Sequence, residues 1–320
     1  MLEDVLEASA ADLTTTLAGA VLPNPVLTAA GCAMAGRELA EFVDVSRLGA
    51  IVTPSVTLGP RAGSATPRIT ETPSGLLSAV GMPGPGIDAV LAADLPWLDH
   101  VGARAVVSIA GHTIAEYAEL AGRLRGAPAV CLLEINLSCP SAEADGHDFA
   151  CDPDAAGLVV SEVRAAADPA TPVFAKLSPN VTDIVSIAQA CAQAGADGVC
   201  LINTVSGVAI DPYTMRPALA EVFGGLSGPA IRPVAVRCVW QVHAALPHLP
   251  ILGVGGVTCG LDALQLVLAG ASAVSVGTAL FHDPGTPLRV LDELRDLLVE
   301  RGFERLVDAV GLAHRFEEDG

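Results

Sequence analysis

Basic residues are scarce in this 320-residue chain, where 17 Lys and Arg side chains stand against 36 Asp and Glu side chains. The formal net charge is -19, and because like charges repel, the sequence disfavours binding to nucleic acid or to an anionic membrane surface. Lysine is the scarcest: Lys176 is the only one, in the apolar, strand-like run 171–177. We predict that its compact ammonium group contacts a bound anion, the alternative being a side chain that reaches the surface for solvation.

The sequence also lacks Cys-x-x-Cys motifs and long apolar segments. The eight cysteines, at positions 32, 131, 139, 151, 191, 200, 238 and 259, include no Cys-x-x-Cys pair, so no zinc site or iron–sulfur cluster is predicted. The longest charge-free stretch, about residues 17–36, contains two prolines and three glycines, which argues against a membrane helix. The acidic start of the chain lacks a signal-peptide pattern. We therefore expect a reduced, cytoplasmic protein.

A repeated unit of helix, Gly-Ala and apolar strand indicates the fold. It recurs at residues 48–52, 194–199 and 269–274. Such alternation is typical of parallel strands joined by crossover helices. Eight core strands are predicted at about residues 26–30, 50–54, 105–109, 130–136, 172–176, 198–202, 251–254 and 273–276. Helices are predicted at about residues 37–47, 87–99, 113–125, 154–167, 182–194, 231–246 and 261–269, with further helix at 287–299 and 303–313.

These elements predict one α/β domain over residues 1–320, a (β/α)8 TIM barrel with an N-terminal extension. Two long connections, 55–104 and 203–230, are expected to be insertions at the C-terminal rim of the barrel. A doubly wound open sheet is the alternative architecture.

Polar residues follow the predicted strands, whose carboxyl ends would meet at one rim. The fourth strand leads into Asn136, Ser138 and Cys139, which are an amide, a hydroxyl and a thiol, before Pro140. The other strand ends carry Ala30, Gly31, Pro54, Ser55, Ser108, Lys176, Asn203, Thr204, Gly255, Gly256, Gly277 and Thr278. The glycine turns after the seventh and eighth strands offer bare N–H groups and a hydroxyl, which is typical of a phosphate site. Together with Lys176 and Asn203, they predict a site for a phosphorylated cofactor.

Several motifs resemble one family of enzymes. They are Glu-Ile-Asn-Leu-Ser-Cys-Pro at 134–140, Lys-Leu-Ser-Pro-Asn at 176–180, Ile-Asn-Thr at 202–204, Gly-Gly-Leu-Ser-Gly-Pro-Ala at 224–230 and Val-Gly-Thr at 276–278. In this order and spacing they resemble the class 1 dihydroorotate dehydrogenases, and within them the class 1B catalytic subunit. Glu-Thr-Pro-Ser-Gly-Leu at 71–76 and Leu-Pro-Trp-Leu at 95–98 fit the same family.

The resemblance implies an FMN-binding barrel that oxidises dihydroorotate to orotate, with Cys139 as the catalytic base and Lys176 at the flavin. Flavin contacts would fall on Ala30, Gly31, Ser55, Ser108, Asn136, Lys176, Ile202, Gly228, Gly255, Gly256, Gly277 and Thr278. Contacts to the dihydropyrimidine would fall on Ser78, Val80, Gly81, Met82, Asn136, Ser141, Asn203 and Thr204. The family also implies a homodimer core and, for class 1B, a separate flavin and iron–sulfur subunit that takes the electrons.

Four positions depart from the family pattern. Pro54 stands where family members carry a lysine, and Ser78, Ser108 and Ser141 stand where they carry asparagines. Each hydrogen bond lost to a buried polar ligand typically costs about 1–3 kcal/mol. A related FMN oxidoreductase that acts on a different cyclic amide or modified pyrimidine is therefore an alternative. A flavin-binding protein without turnover is a third hypothesis. Cys139 argues against it, because flavin binding alone would not need this thiol.

Overall fold

The computed structural model describes residues 11–138 and 148–317. Its strands are β1 (Thr15–Leu17), β2 (Ala20–Leu22), β3 (Val26–Thr28), β4 (Ile51–Val52), β5 (Ile69–Thr72), β6 (Gly75–Ser78), β7 (Ala105–Ile109), β8 (Val130–Asn136), β9 (Val173–Leu177), β10 (Gly198–Leu201), β11 (Val205–Val208), β12 (Ile210–Asp211), β13 (Arg216–Pro217), β14 (Phe223–Ser227), β15 (Ile251–Val254) and β16 (Ala273–Val276). The α-helices are α1 (Ile87–Ala89), α2 (Leu95–His100), α3 (Ile114–Arg123), α4 (Pro153–Ala166), α5 (Ile184–Gln193), α6 (Arg232–Ala245), α7 (Gly260–Leu268), α8 (Thr286–Glu300) and α9 (Leu306–Ala309).

The eight predicted core strands form one parallel sheet in the order β3-β16-β15-β10-β9-β8-β7-β4. A parallel bridge between Leu27 and Ala50 joins the two edge strands, and Thr28 N donates to Ala50 O at 3.3 Å. The sheet therefore closes into a (β/α)8 barrel, and the predicted TIM-barrel fold is confirmed. Across the described residues, no helix is both long enough and apolar enough to cross a membrane.

Side chains alternate between the inside of the barrel and the layer of helices. On β9, Phe174 joins the inner cluster with Leu132, Leu252 and others, whereas Val173, Ala175 and Leu177 pack in the outer core. Because successive side chains of a strand point to opposite faces, Lys176 lies on the same inner face as Phe174. Period two thus brings the only lysine inside the barrel.

Most helices lie where they are predicted, and side-chain caps fix several of their starts. Thr113 accepts a hydrogen bond from Glu116 N, Asp152 from Ala155 N and Asp183 from Val185 N, which are N-cap contacts. The predicted helix at 87–99 is divided into α1, a π-helical turn at Val90–Asp94, and α2.

Two of the predicted helices are not continuous α-helices in the structure, so these two predictions are wrong. Residues 37–47 contain two 3-10 turns, Leu39–Glu41 and Val45–Arg47, because the Asp44 carboxylate accepts from Ser46 N and competes with a continuous helix. Residues 303–313 contain only the short α9 and the start of a 3-10 turn at Leu312–Glu317. Gly311, at φ +68°, lies between those two elements and breaks the helix.

The two long insertions meet above the barrel rim. Strands from both combine in an antiparallel sheet of order β11-β14-β6-β5, while β12 and β13 form a separate ribbon. At the other end, the β1–β2 hairpin places Leu17 and Leu22 in the inner cluster, fully or almost fully buried. The barrel is therefore filled with apolar side chains below and covered by a small sheet above.

Candidate active site

A cavity of about 380 Å³ lies between the carboxyl ends of the barrel strands and the antiparallel sheet above them. The predicted residues that line it are Ala30, Gly31, Pro54, Ser55, Ser78, Val80, Gly81, Met82, Asn136, Lys176, Ile202, Asn203, Thr204, Gly228, Gly255, Gly256, Gly277 and Thr278. These come from distant parts of the chain, and the barrel brings them together at one rim, which is where enzymes of this architecture build their sites.

A row of amides and hydroxyls crosses the cavity. Asn136 Nδ2 donates to Ser55 Oγ at 2.9 Å, and Asn203 Nδ2 donates to Asn136 Oδ1 at 3.2 Å. Ser138 N donates to the same Oδ1 at 3.2 Å. Ser108 is fully buried and does not line the cavity. Its Oγ lies behind the cavity wall, 3.1 Å from Ser55 Oγ. This row presents fixed donors and acceptors to a flat, polar ligand.

The connection after β8 is held at both ends. Tyr117, fully buried on α3, donates its hydroxyl to Asn136 O at 2.7 Å, and its ring packs edge-on against Phe149 with centroids 5.8 Å apart. Ala150 N donates to Leu137 O at 3.0 Å. Cys139 and Ser141 lie within this connection but outside the described residues, so their roles stay predictions.

Lys176 and Glu134 form a buried ion pair inside the barrel. Their Nζ and Oε2 atoms are 3.4 Å apart, and the two side chains are only 7% and 2% exposed. Burial by itself lowers the pKa of Lys176, but attraction to Glu134 outweighs it and the pKa is raised. Among the described residues that line the cavity, these two are the only charged side chains. Sequence reasoning missed Glu134, although a carboxylate amid the apolar residues of a strand was a signal.

The cysteines near this pair are protonated, structural groups. Burial raises the pKa of Cys32 to about 11, partly opposed by Lys176. Burial also raises the pKa of Cys200 well above its usual range, and Glu134 reinforces that shift. Because the thiolate is the reactive form, neither thiol is suited to act as a base near neutral pH.

A rigid glycine turn follows β15. Gly255 and Gly256 have φ values of +135° and +73°, and a Cβ on Gly256 would lie 2.6 Å from Arg232 Cβ. Arg232 donates to Gly256 O at 3.3 Å and pairs with Asp262 at 2.7 Å. Asp262 in turn accepts from the N and Oγ1 of Thr258, at 3.0 and 2.6 Å. This network fixes a turn that only glycine can form.

A second group of donors faces that turn. A 3-10 turn begins at Thr278, whose Oγ1 donates to Ser227 Oγ at 2.8 Å. Within the described part of the chain, the N–H groups of Gly256, Thr278 and Ala279 have no hydrogen-bond acceptor. Unpaired N–H groups at a turn and at a helix start are suited to bind a phosphate. These donors fit the phosphate of the predicted cofactor, and Ser227 is a member of the site that sequence reasoning missed.

The antiparallel sheet closes the cavity from above. Gly81, at φ +74°, packs so tightly that a Cβ would lie 2.4 Å from Ser64 Oγ. Ser78 pairs with Gly225, where a Cβ would clash with Thr204 Oγ1 at 2.1 Å. The close packing holds the segment 78–82 against the rim.

A second cavity of about 230 Å³ adjoins the first. The two share Met34, Pro54, Ser55 and Pro83 as lining residues. Val56, Pro85 and Val90 contribute further apolar surface to the second cavity. Among the described residues, no group of three or more His, Cys, Asp or Glu side chains could hold a metal ion.

With this geometry established, comparison with known proteins decides the family. The family model described as dihydroorotate dehydrogenase matches residues 12–298. The chain belongs to the dihydroorotate dehydrogenase family. The match includes the whole barrel and both insertions, so the predicted family is confirmed.

Relatives in this family share about half of their residues with the chain. A protein of Desulforudis audaxviator named dihydroorotate dehydrogenase B (NAD(+)), catalytic subunit, is 51% identical over 93% of this chain and 96% of its own length. Proteins of the same name from Pelobacter propionicus and Geobacter sulfurreducens are 50% and 48% identical. Each of those alignments covers 94% of this chain, with 98% and 97% of the respective relative.

Proposed function

We propose that this chain is an FMN-dependent oxidoreductase that oxidises dihydroorotate to orotate. The observation that carries the proposal is the cavity at the barrel rim, where Asn136, Lys176, Asn203 and a glycine turn converge in a member of this family. The cavity offers planar hydrogen-bonding groups, one buried cation and a phosphate-binding turn. A phosphorylated cofactor and a small cyclic amide need these groups.

When bound, FMN would supply the two-electron acceptor of the reaction. Its phosphate is assigned to Gly228, Gly255, Gly256, Gly277 and Thr278, and its ring system to Ala30, Gly31, Ser55, Asn136, Lys176 and Ile202, all of which line the cavity. Ser108 is assigned an indirect part, since it holds Ser55 from behind. The donor set fits FMN because bare N–H groups and one ammonium are complementary to its phosphate and to a reduced, anionic ring.

The protein groups proposed to act on dihydroorotate fall into three sets. Asn136, Asn203 and Thr204 hold the pyrimidine edge, while Ser78 and the backbone N–H groups of Val80, Gly81 and Met82 face its carboxylate. Cys139 is the proposed base and Ser141 a neighbouring contact. The Cys139 thiolate takes the proton from the carbon next to the ring carbonyl, and the neighbouring C–H bond gives up a hydride, which bound FMN would accept. Two electrons and two hydrogens thus leave the substrate.

A separate electron-transfer subunit is the proposed partner. The relatives' names describe catalytic subunits of NAD(+)-dependent enzymes. We propose that electrons from this chain pass to NAD+ through another polypeptide, and that two copies of this chain form the core of the assembly.

The test is anaerobic addition of dihydroorotate to flavin-loaded protein, followed through the absorbance of oxidised flavin. Rapid bleaching is expected in the natural chain and is expected to be lost in Cys139→Ser. Cys151→Ser is the matched control, because Cys151 is exposed on the 3-10 turn that follows the same connection. Flavin that dithionite bleaches but dihydroorotate does not would refute the proposed substrate, and protein that takes up no FMN would refute the cofactor.

One observation favours a second candidate function. Pro54 lines both the main cavity and the adjoining one, and Ser78 contributes only a short side chain to the lining of the main cavity. These features suit a substituted cyclic amide that is larger and less polar than dihydroorotate. Bleaching by 5-alkyl dihydrouracils, with none by dihydroorotate, would establish this candidate in place of the first.

A further inference from the structure

The buried pair of Lys176 and Glu134 does more than satisfy two charges. Both residues line the cavity as well as the barrel interior. Glu134 Oε2 lies 3.4 Å from Lys176 Nζ, while Glu134 Oε1 is buried without a hydrogen-bond partner among the described residues. A buried carboxylate oxygen without a hydrogen bond lowers the stability of the fold, so stability alone does not explain why Glu134 is found at this position.

The strands hold both side chains in place. Glu134 follows Leu132 on the inner face of β8, and Lys176 follows Phe174 on the inner face of the neighbouring β9. Lys176 is paired in register with Asn136 on one side and with Cys200 on the other. The backbone positions of the pair are therefore fixed on two adjacent strands of a closed barrel.

We propose that Glu134 is a positioning residue that sets, through Lys176, the positive charge presented to the flavin. This inference rests on the proposed binding of FMN. Glu134 holds the ammonium group at its place and offsets part of its charge, so the cavity favours an anionic, reduced flavin less than an unpaired lysine would. The carboxylate thus keeps the flavin oxidisable after each turnover.

Removal of the Glu134 charge is expected to increase the affinity of the cavity for anions. Neutralising Glu134 removes the negative charge that opposes an anion in the same low-dielectric cavity, and Lys176 is left with that anion as its partner, so a bound anion is stabilised. Sulfite is a suitable probe, because its sulfur forms a bond to flavin N5 with its own electron pair and leaves a negative charge on the flavin ring. Both sulfite affinity and the reduction potential of the flavin report on local positive charge.

The experiment compares FMN-loaded natural protein with Glu134→Gln, which preserves shape and removes the charge. We expect the Kd for sulfite to fall at least tenfold, equivalent to about 1.4 kcal/mol. The two-electron reduction potential is expected to rise correspondingly, by about 30 mV or more. Glu293→Gln is the matched control, since Glu293 pairs with Arg289 and caps Gly260 outside the cavity, and it is expected to change neither value.

Three outcomes are decisive. Unchanged sulfite affinity and potential in a folded, FMN-loaded Glu134→Gln protein would overturn the inference and leave the proposed function intact, whatever happens to the melting temperature. If that variant does not fold, Glu134→Asp, which withdraws the charge by one methylene, must shift both values in the same direction by a smaller amount. Failure of the natural chain to take up FMN would overturn the proposed function and this inference together.

Discussion

Substitution of Gly256 by alanine tests the glycine turn that is assigned to the cofactor phosphate. Gly256 has a φ of +73°, a left-handed conformation that costs a non-glycine residue roughly 1 kcal/mol. The added Cβ would also lie 2.6 Å from Arg232 Cβ and 3.0 Å from the Cα and N atoms of Arg232. Arg232 opens α6, so its backbone cannot move aside without disturbing a whole helix.

The expected loss follows from these two contributions. Overpacking against fixed backbone typically costs about 1–3 kcal/mol, which brings the total for Gly256→Ala to about 2–4 kcal/mol in the free energy of unfolding. Because the clash pushes the turn away from Arg232, the N–H groups also lose their position. We therefore expect the affinity for FMN to fall at least tenfold, or about 1.4 kcal/mol.

Gly102→Ala is the matched control for this substitution. Gly102 has nearly the same φ, +71°, but no heavy atom lies within 4 Å of its added Cβ. It should lose only the conformational cost of roughly 1 kcal/mol and keep its affinity for FMN. Urea unfolding and titration of flavin fluorescence measure the two quantities. Equal losses of stability in both variants, with FMN affinity unchanged in both, would refute the reasoning.

Two further predictions concern a buried hydroxyl and a half-buried histidine. Tyr117→Phe removes the hydroxyl that donates to Asn136 O but keeps the packed ring, so the free energy of unfolding in urea is expected to fall by about 1–1.5 kcal/mol. For His243, burial and then the nearby His314 lower the pKa below the usual 6.5. The stability that neutral His243 contributes is complete above pH 6.5 and declines as the pH falls through the lowered pKa. We therefore expect His243→Gln to lose less stability in acid than the natural chain. Urea midpoints at about pH 7.5 and about pH 5.5 measure that loss.

Exposed residues of the same types serve as controls. Tyr213 is 94% exposed, and Tyr213→Phe should leave the free energy of unfolding unchanged. His248 is exposed just beyond the end of α6, the helix that carries His243, and His248→Gln should show the acid sensitivity of the natural chain. A Tyr117→Phe protein as stable as the natural one, or a His243→Gln protein with an unaltered acid response, would contradict the corresponding contact.

Local patterns predicted the barrel because each strand carries its own signal. Wholly apolar runs such as those in β10 and β15 are buried on both faces, and glycines after helices mark where several strands begin. The helix prediction failed at residues 37–47, where one short contact, from Asp44 to Ser46, was enough to replace a helix by turns. Periodicity records which residues are apolar, but not whether a polar side chain will compete for a backbone N–H group.

The sequence by itself determined the parallel strands with their crossover helices, the glycine turns and the family, since these depend on apolar runs, on φ and on motif order. Only the tertiary structure decided that Glu134 partners Lys176, that Ser227 meets Thr278, and that Ser108 lies behind Ser55. Those contacts join residues 42, 51 and 53 positions apart. Closure of the sheet fixes such distances, and no local propensity encodes the register in which distant strands meet.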